Sequence, residues 1–400
     1  MEIKKITFKT NKSTDIIYLA VLFLYAIVMV LNDSNFSQLA DFSSSMKLLK
    51  YAVLAFATVY FLLTYKTLEI NKYVLLIFVT LIGMNLISFA FSGVEINVLL
   101  ILLMVLASKH TRLKNITLTY LLGYITGCCI VFYSARKGII EDAINNRYST
   151  DIFSSLFLKS NYYTRHSFGF IFSNQVPFAL MTVYFLLILW KREKLTWIFH
   201  VIVEALNVYT FIYCGSRFVF AIIALTTLVY IIFKATNKAN WHLPRWLAYV
   251  FIILAIFSLG LILFYNKVPY VFNVFLNFRI SNAYKVIQTY GFHLVKSNFV
   301  AGTDNGVNGT IIDNGYLMLF MQRGALFAIT VLALWTYITK IVVKNNRKYI
   351  FLILLLLALE NFIDYQIISY RFLPLLCIAL HEDDDCISDT VDYNESLEEI

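Results

Sequence analysis

Four arginines stand at or within the predicted outer ends of very apolar segments: Arg165, Arg217, Arg279 and Arg323. A guanidinium costs about 2.5–3.5 kcal/mol at the centre of a membrane helix, so such residues are kept mainly where they serve a function. Lys and Arg also prefer cytoplasmic loops, which makes positive charge on the opposite side unusual. The four arginines therefore predict an anion-binding site on the outward-facing side of a membrane.

Two of these arginines also have an alternative structural interpretation. Arg217 ends the very short turn Cys214-Gly215-Ser216-Arg217, in which backbone N–H groups and a guanidinium could converge on one anion. A single outer arginine is, however, common in membrane proteins. Arg165 opens the sixth apolar segment, where it could bind substrate or simply extend its charge to the membrane surface.

Asp313 could supply acid–base chemistry close to these charges. In a continuous helix it would lie about 15 Å above Arg323, at 1.5 Å per residue. A carboxylate in that position could act as a general base that removes a proton from a hydroxyl. Asp is also a preferred helix N-cap residue, and the two roles are compatible.

Two further sets of ionisable residues lie in apolar segments and are interpreted as structural. His200 and Glu204 are spaced i, i+4, on one face of one helix, which predicts a His–Glu or Glu–Arg pair. Glu360, Asp364 and Arg371 bracket the last outer turn and are predicted to lock the final helix pair.

The composition places the chain in a bilayer. Of its 400 residues, 60% are hydrophobic and 14% are charged, whereas soluble proteins have about 25% charged residues. The net charge of +9 comes mainly from short loops, and no basic stripe with interleaved aromatics predicts nucleic-acid binding. Walker A, dinucleotide and His/Cys metal motifs are missing from the sequence, so no metal or cofactor is predicted.

The predicted fold class is an all-α polytopic membrane protein with about 12 transmembrane helices. A bilayer span needs about 20 apolar residues, and the fourth and the last two segments are shorter than that. The predicted segments are 15–31, 47–65, 73–92, 96–107, 116–133, 165–190, 195–213, 218–233, 246–265, 315–339, 349–362 and 363–380.

Loop charges predict the orientation in the cytoplasmic membrane. Every second loop is basic, as in Lys109, Arg112 and Lys114, so both termini are predicted to be cytoplasmic. Residues 1–380 form a single membrane domain, and 381–400 form an acidic, solvated tail. Two longer outer loops, 134–164 and 266–314, are predicted to cap an outward-facing cavity.

The outer motifs resemble those of the Wzy-type polysaccharide polymerases, which belong with the O-antigen ligases in one superfamily. The matching motifs are Arg165-His166-Ser167-Phe168-Gly169-Phe170 with Asn174, Gly215-Ser216-Arg217, Phe278-Arg279-Ile280, and Asp313-Asn314-Gly315-Tyr316 with Arg323-Gly324. The chain departs from the family where the first motif often continues His-Pro-Asn and the ligases carry a His before the Asn of the last motif. Here these positions read Phe172-Ser173-Asn174 and Asp313.

The resemblance implies a metal-independent glycosyltransferase of capsule or O-antigen biosynthesis. It would pass a growing glycan from undecaprenyl pyrophosphate to an incoming lipid-linked oligosaccharide repeat unit, on the outer face of the cytoplasmic membrane. A flippase and a chain-length regulator would be further partners. The implied catalytic residues are Asp313, with His166 or His293 behind it. The implied substrate-binding residues are Arg165, Arg217, Arg279, Arg323, Ser216, Asn314 and Tyr316.

Two other functions remain open at the level of sequence. A lipid-linked oligosaccharide flippase would also need cationic residues and about twelve spans, but transporters usually have related halves around a midplane site. An O-antigen-ligase-like enzyme would transfer the glycan to lipid A or protein, and the sequence does not identify the acceptor. The outward bias of the charges and the unequal outer loops favour the polymerase.

Overall fold

The computed structural model describes residues 12–64, 70–92, 97–148, 162–236, 241–270, 273, 279–295 and 314–382. The α-helices of these residues, numbered α1 to α14 in chain order, are Lys12–Asn32, Ala40–Thr64, Lys72–Ser92, Asn97–Ala107, Leu113–Arg136, Gln175–Lys191, Trp197–Cys214, Arg217–Thr236, Val250–Leu263, Arg279–Tyr290, Gly315–Arg323, Ala325–Lys344, Lys348–Glu360 and Leu373–Cys377. Two strands, β1 (Ile144–Tyr148) and β2 (Tyr162–His166), pair in an antiparallel hairpin. This part of the chain is thus mainly helical, as predicted.

Within the described residues, seven helical segments are long and apolar enough to cross a membrane. They are Asp15–Asn32, Ala40–Leu63, Leu113–Arg136, Trp197–Cys214, Arg217–Thr236, Arg245–Leu263 and Ala325–Lys344. Their outer surface is apolar: Leu63 is 77% exposed and Trp197 is 71% exposed. An apolar surface this extensive fits contact with hydrocarbon rather than water. The chain is therefore an all-α, multi-pass membrane protein, which confirms the coarse fold prediction.

Helices α1 and α5 pack closely because two glycines four residues apart lie between them. A Cβ at Gly123 would lie 2.6 Å from the carbonyl oxygen of Phe23, and one at Gly127 would lie 2.9 Å from the Cβ of Val30. Small residues at this spacing let the backbones of membrane helices approach, which compensates for the weak hydrophobic drive between helices in lipid.

The prediction of one continuous helix over 315–339 is wrong, because the chain breaks at Gly324 between α11 and α12. Gly324 has φ +87°, and a Cβ there would lie 2.5 Å from the carbonyl carbon of Val295. The carbonyl oxygen of His293 accepts a hydrogen bond from the N–H of Ala325 at 2.9 Å. The loop after α10 thus packs into the break and binds the start of α12, and only glycine leaves room for it.

The last two predicted segments form a short hairpin. Helix α13 has 13 residues, or about 20 Å at 1.5 Å per residue, which is less than the roughly 30 Å of a hydrocarbon core. The residues of the hairpin's tip, 361–369, are buried or half-buried, and Trp335 Nε1 donates to the carbonyl oxygen of Ile367 at 2.7 Å. Burial within protein is what allows a non-helical turn in an apolar setting.

Arg165 does not open a helix, contrary to the sequence prediction. It lies in β2, opposite Asn145 of β1, and the following helix α6 begins only at Gln175. His381, the first residue of the predicted solvated tail, is instead packed against the protein, and residues 383–400 of that tail lie outside the described residues. His381 is 3% exposed, and its Nε2 lies 2.9 Å from the carbonyl oxygen of Thr111.

We expect Gly123→Ala to destabilise the protein by about 1–3 kcal/mol, because the new Cβ forces α1 and α5 apart. Gly83→Ala is the matched control: it lies in α3, where a Cβ would meet nothing within 4 Å. Thermal unfolding in detergent, followed by size-exclusion chromatography after heating, compares the two variants. Equal melting temperatures for both would contradict the close packing of α1 and α5.

Candidate functional site

The four predicted arginines fall into two groups that different elements hold. The hairpin group comprises Asp142, Arg165, His166, Ser216 and Arg217, where β2 meets the end of α7 and the start of α8. The α11 group comprises Arg279, Asn314, Tyr316, Arg323 and Glu360, around helix α11 and the tip of the α13–α14 hairpin. The sequence predicted both sets of arginines but not their division.

In the hairpin group, Arg165 ties β2 to the end of α7. Its Nε donates to the carbonyl oxygen of Cys214 at 2.5 Å, where the negative end of a helix dipole favours a cation. Gly215 follows with φ +65°, a left-handed conformation that ends α7. Ser216 is then the second and last turn residue, because α8 begins at Arg217. The predicted short turn is confirmed, and Arg165 and Arg217 flank it.

His166 and Asp142 form a hydrogen-bonded pair that the sequence did not predict. His166 Nδ1 lies 2.9 Å from Asp142 Oδ2, and each side chain is 30% exposed. Asp142 Oδ1 accepts hydrogen bonds from the N–H groups of Ser167 at 2.9 Å and Phe168 at 2.6 Å. The carboxylate is therefore fixed in place and orients the imidazole. Asp142 could have been suspected only as a carboxylate in an outer loop, since its partner lies 24 residues away.

An aromatic wall, formed by Phe168, Tyr209 and Tyr213, stands beside His166. The ring of His166 lies 5.7 Å from that of Phe168 and 6.0 Å from that of Tyr213. Tyr209 and Tyr213 are one helical turn apart on α7, with ring centroids 4.6 Å apart, and are 48% and 41% exposed. Tyr213 is the last residue but one of α7, so this part of the wall lies at the end of a candidate membrane span rather than in its middle, with the imidazole beside it.

In the α11 group, Asn314 joins three elements. It is the N-cap of α11, and its Oδ1 accepts from the N–H of Leu317 at 2.9 Å. Its Nδ2 donates to Ser258 Oγ at 2.7 Å and to the carbonyl oxygen of Phe362 at 3.0 Å. Asn314 therefore carries out the capping role that the sequence offered to Asp313, which lies outside the described residues.

Arg279 lies at the start of α10, and its side chain contacts the tip of the α13–α14 hairpin. Its Nη1 donates to the carbonyl oxygen of Ile363 at 3.2 Å. Arg279, Ser258 and Asn314 line a small cleft together with apolar side chains, among them Ile262. The cleft therefore has a cation and polar groups on otherwise apolar walls.

Arg323 ends α11 beside the break at Gly324. It is 6% exposed, and its Nε and Nη1 have no hydrogen-bond partner among the described residues. Its Cζ lies 5.9 Å from the ring of Phe327, and its charge is within electrostatic range of Tyr365 at the hairpin tip. A buried guanidinium with unused donors is costly, so this position can accept an anionic ligand.

Two other predicted site residues have structural contacts. Tyr316 is fully buried, and its hydroxyl donates to the carbonyl oxygen of Ala358 at 2.8 Å. His293 is exposed, and its Nε2 lies 2.8 Å from the carbonyl oxygen of Tyr290. Neither contact brings these side chains to the cleft beside Arg279.

Glu360 is a buried carboxylate at the end of α13. It is fully buried, and neither carboxylate oxygen has a hydrogen-bond partner among the residues the structure describes. Arg279 and Arg371 lie within its electrostatic range, as does Asp364. A buried carboxylate without hydrogen bonds is unfavourable, so Glu360 adds a second polar group whose environment a ligand or a proton could complete.

Arg371 does not lock the last helix pair through Glu360 or Asp364 as predicted. Its Nη2 lies 3.1 Å from Asp33 Oδ2, at the end of α1, and the hydroxyl of Tyr370 donates to the same oxygen at 2.7 Å. The next residues extend this contact to the hairpin group, because the N–H of Asn35 donates to the carbonyl oxygen of Gly169 at 2.8 Å. One turn thus connects the α13–α14 hairpin with the loop that follows His166.

Instead of the predicted His–Glu or Glu–Arg pair, His200 and Glu204 are joined through a relay across three helices. His200 Nδ1 lies 2.6 Å from the hydroxyl of Tyr184, which lies 2.9 Å from Thr227 Oγ1. Thr227 donates to Glu204 Oε1 at 2.6 Å, and Asn207 donates to Glu204 Oε2 at 3.1 Å. These bonds join α6, α7 and α8, and within the described residues they leave only His200 Nε2 and Asn207 Oδ1 of this network without a partner.

Comparisons with known proteins do not assign a family. No protein-family model, curated protein or solved structure matches the chain. Among the described residues, no three His, Cys, Asp or Glu side chains are close enough to hold a metal ion. The family resemblance carried by the motifs stays a prediction.

We expect Arg371→Met to destabilise the protein by about 3–5 kcal/mol, because it leaves Asp33 without its buried cation. Lys344→Met is the matched control, since Lys344 pairs with Glu382 at 3.5 Å in an exposed position, where such pairs contribute about 0–1 kcal/mol. Thermal unfolding in detergent measures both. If Arg371→Met and the control had equal melting temperatures, the Arg371–Asp33 ion pair would not stabilise the α13–α14 hairpin.

Proposed function

We propose that the chain is a polysaccharide polymerase of the Wzy type. It transfers a growing glycan from undecaprenyl pyrophosphate to an incoming lipid-linked repeat unit, without a metal or cofactor. The observation that carries this proposal is Arg323, a buried guanidinium whose Nε and Nη1 have no hydrogen-bond partner among the described residues. A phosphate group would supply oxygen acceptors and opposite charge, which arginine binds well.

The two arginine groups suit a reaction that has two lipid-linked substrates. Donor and acceptor each bring one pyrophosphate at the depth of the lipid headgroups. Arg165 and Arg217 are proposed to serve one of them, and the α11 group the other, with Arg279 in the cleft at the start of α11 and Arg323 at its end. When the glycosidic bond to the donor pyrophosphate breaks, negative charge grows on the leaving oxygen. Guanidinium groups fixed nearby stabilise that charge more in an apolar surrounding than in water.

The proposal includes a specific orientation in the cytoplasmic membrane. All twelve predicted segments contain helix, and we propose that each crosses or enters the bilayer, with both termini in the cytoplasm. Contacts between two basic loops and the end of the last predicted segment support this orientation, because they bring these parts of the chain together. Lys109 Nζ donates to the carbonyl oxygen of Leu380 at 2.5 Å, and Arg347 donates to that of Glu382 at 2.9 Å. Both candidate groups then face outward.

A flippase for the same lipid-linked oligosaccharide is the second candidate. The broken helix at Gly324 and the short α13–α14 hairpin favour it, because transporters often build binding sites from discontinuous helices. The two functions differ in what they need. A transferase joins glycans in a detergent micelle, whereas a flippase has an effect only across a closed membrane.

We expect Arg323→Gln and Arg279→Gln to reduce polymer formation by about 10²–10³-fold, the usual cost of losing one group that stabilises developing negative charge. Arg245→Gln is the matched control, because Arg245 is exposed at the start of the candidate span Arg245–Leu263 and belongs to neither group. Purified proteins in detergent are incubated with lipid-linked repeat units, and product lengths are read by gel electrophoresis and mass spectrometry.

The outcomes of this assay separate the candidates. Polymer ladders from wild type and Arg245→Gln, with single repeat units left by the other two variants, support the proposal. Wild-type ladders from Arg323→Gln and Arg279→Gln would exclude a role for these arginines. If wild type forms no polymer in detergent but moves the lipid-linked repeat unit across a vesicle membrane, the flippase is correct.

A further inference from the structure

His166 is paired with Asp142 and lies beside the aromatic wall. A carboxylate–imidazole pair of this kind can remove a proton from a hydroxyl group. We infer that His166 is the general base for the acceptor sugar, that Asp142 positions it, and that Phe168, Tyr209 and Tyr213 bind the sugar ring. This inference rests on the proposed function and names the acceptor subsite within it. It places the base in the hairpin group rather than at Asp313.

The hydrogen bonds select the tautomer that a base requires. Asp142 Oδ2 lies 2.9 Å from His166 Nδ1, so the carboxylate accepts the proton on Nδ1 and leaves Nε2 with a free lone pair. Asp142 Oδ1 accepts from the N–H groups of Ser167 and Phe168, which keeps the carboxylate from rotating away. An Asp that orients a His in this way is a recurring device for general-base catalysis.

The aromatic wall indicates that the hydroxyl group belongs to a sugar ring. Faces of Tyr and Phe rings provide flat apolar surface with partial negative charge, against which the C–H groups of a sugar ring can stack. The ring of His166 lies 5.7–6.0 Å from two members of the wall, Phe168 and Tyr213. A sugar on the wall therefore presents its hydroxyl groups to the imidazole.

The chemical step is balanced without any further reagent. His166 Nε2 takes the proton from the acceptor hydroxyl as its oxygen forms a bond to the anomeric carbon of the donor glycan. The bond from that carbon to the pyrophosphate oxygen breaks, and the oxygen leaves with the electron pair as undecaprenyl pyrophosphate. The proton then passes from His166 to solvent.

Catalysis by His166 is tested with His166→Ala. The control is His242→Ala, because His242 is exposed and lies just before the candidate span Arg245–Leu263. In the detergent assay we expect kcat of His166→Ala to fall about 10²–10⁴-fold, the usual contribution of a general base, with little change in KM. Added imidazole should restore part of the lost rate. Full activity of His166→Ala, or a loss that imidazole does not relieve, would overturn the assignment.

Asp142→Asn tests the positioning role with little structural change. Asn keeps an oxygen for the N–H groups of Ser167 and Phe168, but its NH₂ donates to His166 Nδ1 and so moves the imidazole proton to Nε2. We expect kcat to fall about 10²–10⁴-fold with KM nearly unchanged. Asp41→Asn, at an exposed aspartate of α2, is the control. A change in KM alone would show that Asp142 only shapes the loop.

The sugar subsite has a test that does not depend on turnover. The probe is the lipid-linked repeat unit extracted from host cells that lack this chain, and its binding is measured in nanodiscs with His166→Ala as the parent. Adding Tyr213→Ala should weaken binding about tenfold through the lost aromatic face, whereas adding Tyr213→Phe should not. Equal binding by all three proteins would exclude the wall as the subsite.

The results also separate this inference from the proposed function. If wild type polymerises repeat units and His166→Ala does so equally well, only the inference fails, and loss of activity in Asp313→Asn would then return the base to Asp313. If wild type neither polymerises nor binds the repeat unit, the proposed function fails and the inference falls with it.

Discussion

An apolar surrounding offers no water, so each buried charge or hydrogen-bonding group must be met within the protein or by a ligand. Most of the polar groups in this bundle obey that constraint. Arg371 meets Asp33, Asn314 caps α11 and binds two neighbours, and the relay from His200 to Glu204 spans three helices. Against that background, Arg323 and Glu360 stand out, since among the described residues each has two buried side-chain atoms without a hydrogen-bond partner, whereas Arg371 and His200 have one each.

The same constraint explains the shape of the candidate site. A hairpin as short as α13–α14 exposes the backbone of its tip, and α11 covers it: the N–H of Gly315 donates to the carbonyl oxygen of Asn361 at 2.9 Å. A side chain at position 315 would collide with the carbonyl oxygen of Asp364, so only glycine allows this approach. The start of α11 therefore supplies a hydrogen bond to the backbone of the tip. The same end of α11 carries Asn314, which lines the cleft together with Arg279.

The sequence was sufficient for features that depend on local composition, and insufficient for those that depend on distant contacts. Apolar runs predicted the helices, and Gly215 with Ser216 predicted the short turn before Arg217. Asp33 and Arg371 are 338 residues apart, and nothing in either segment marks the other as its partner. The break at Gly324 was missed because a single glycine in an apolar run is compatible with a helix until another loop packs against it.

Arg165 was assigned to the wrong type of secondary structure, although it does lie beside the turn that precedes Arg217. Its segment was predicted as helix because Phe168 and Phe170 continue into an apolar run, yet pairing with β1 and a bond to Cys214 hold it in a strand. Pairing between strands is set by tertiary contacts more than by propensity. Asp142 lies two residues before β1, and the pairing of Ile144 with His166 brings it beside the imidazole, so a helix at this position would have separated the two. The β1–β2 hairpin, rather than the predicted helix, thus brings a carboxylate and an imidazole together beside Arg165 and Arg217.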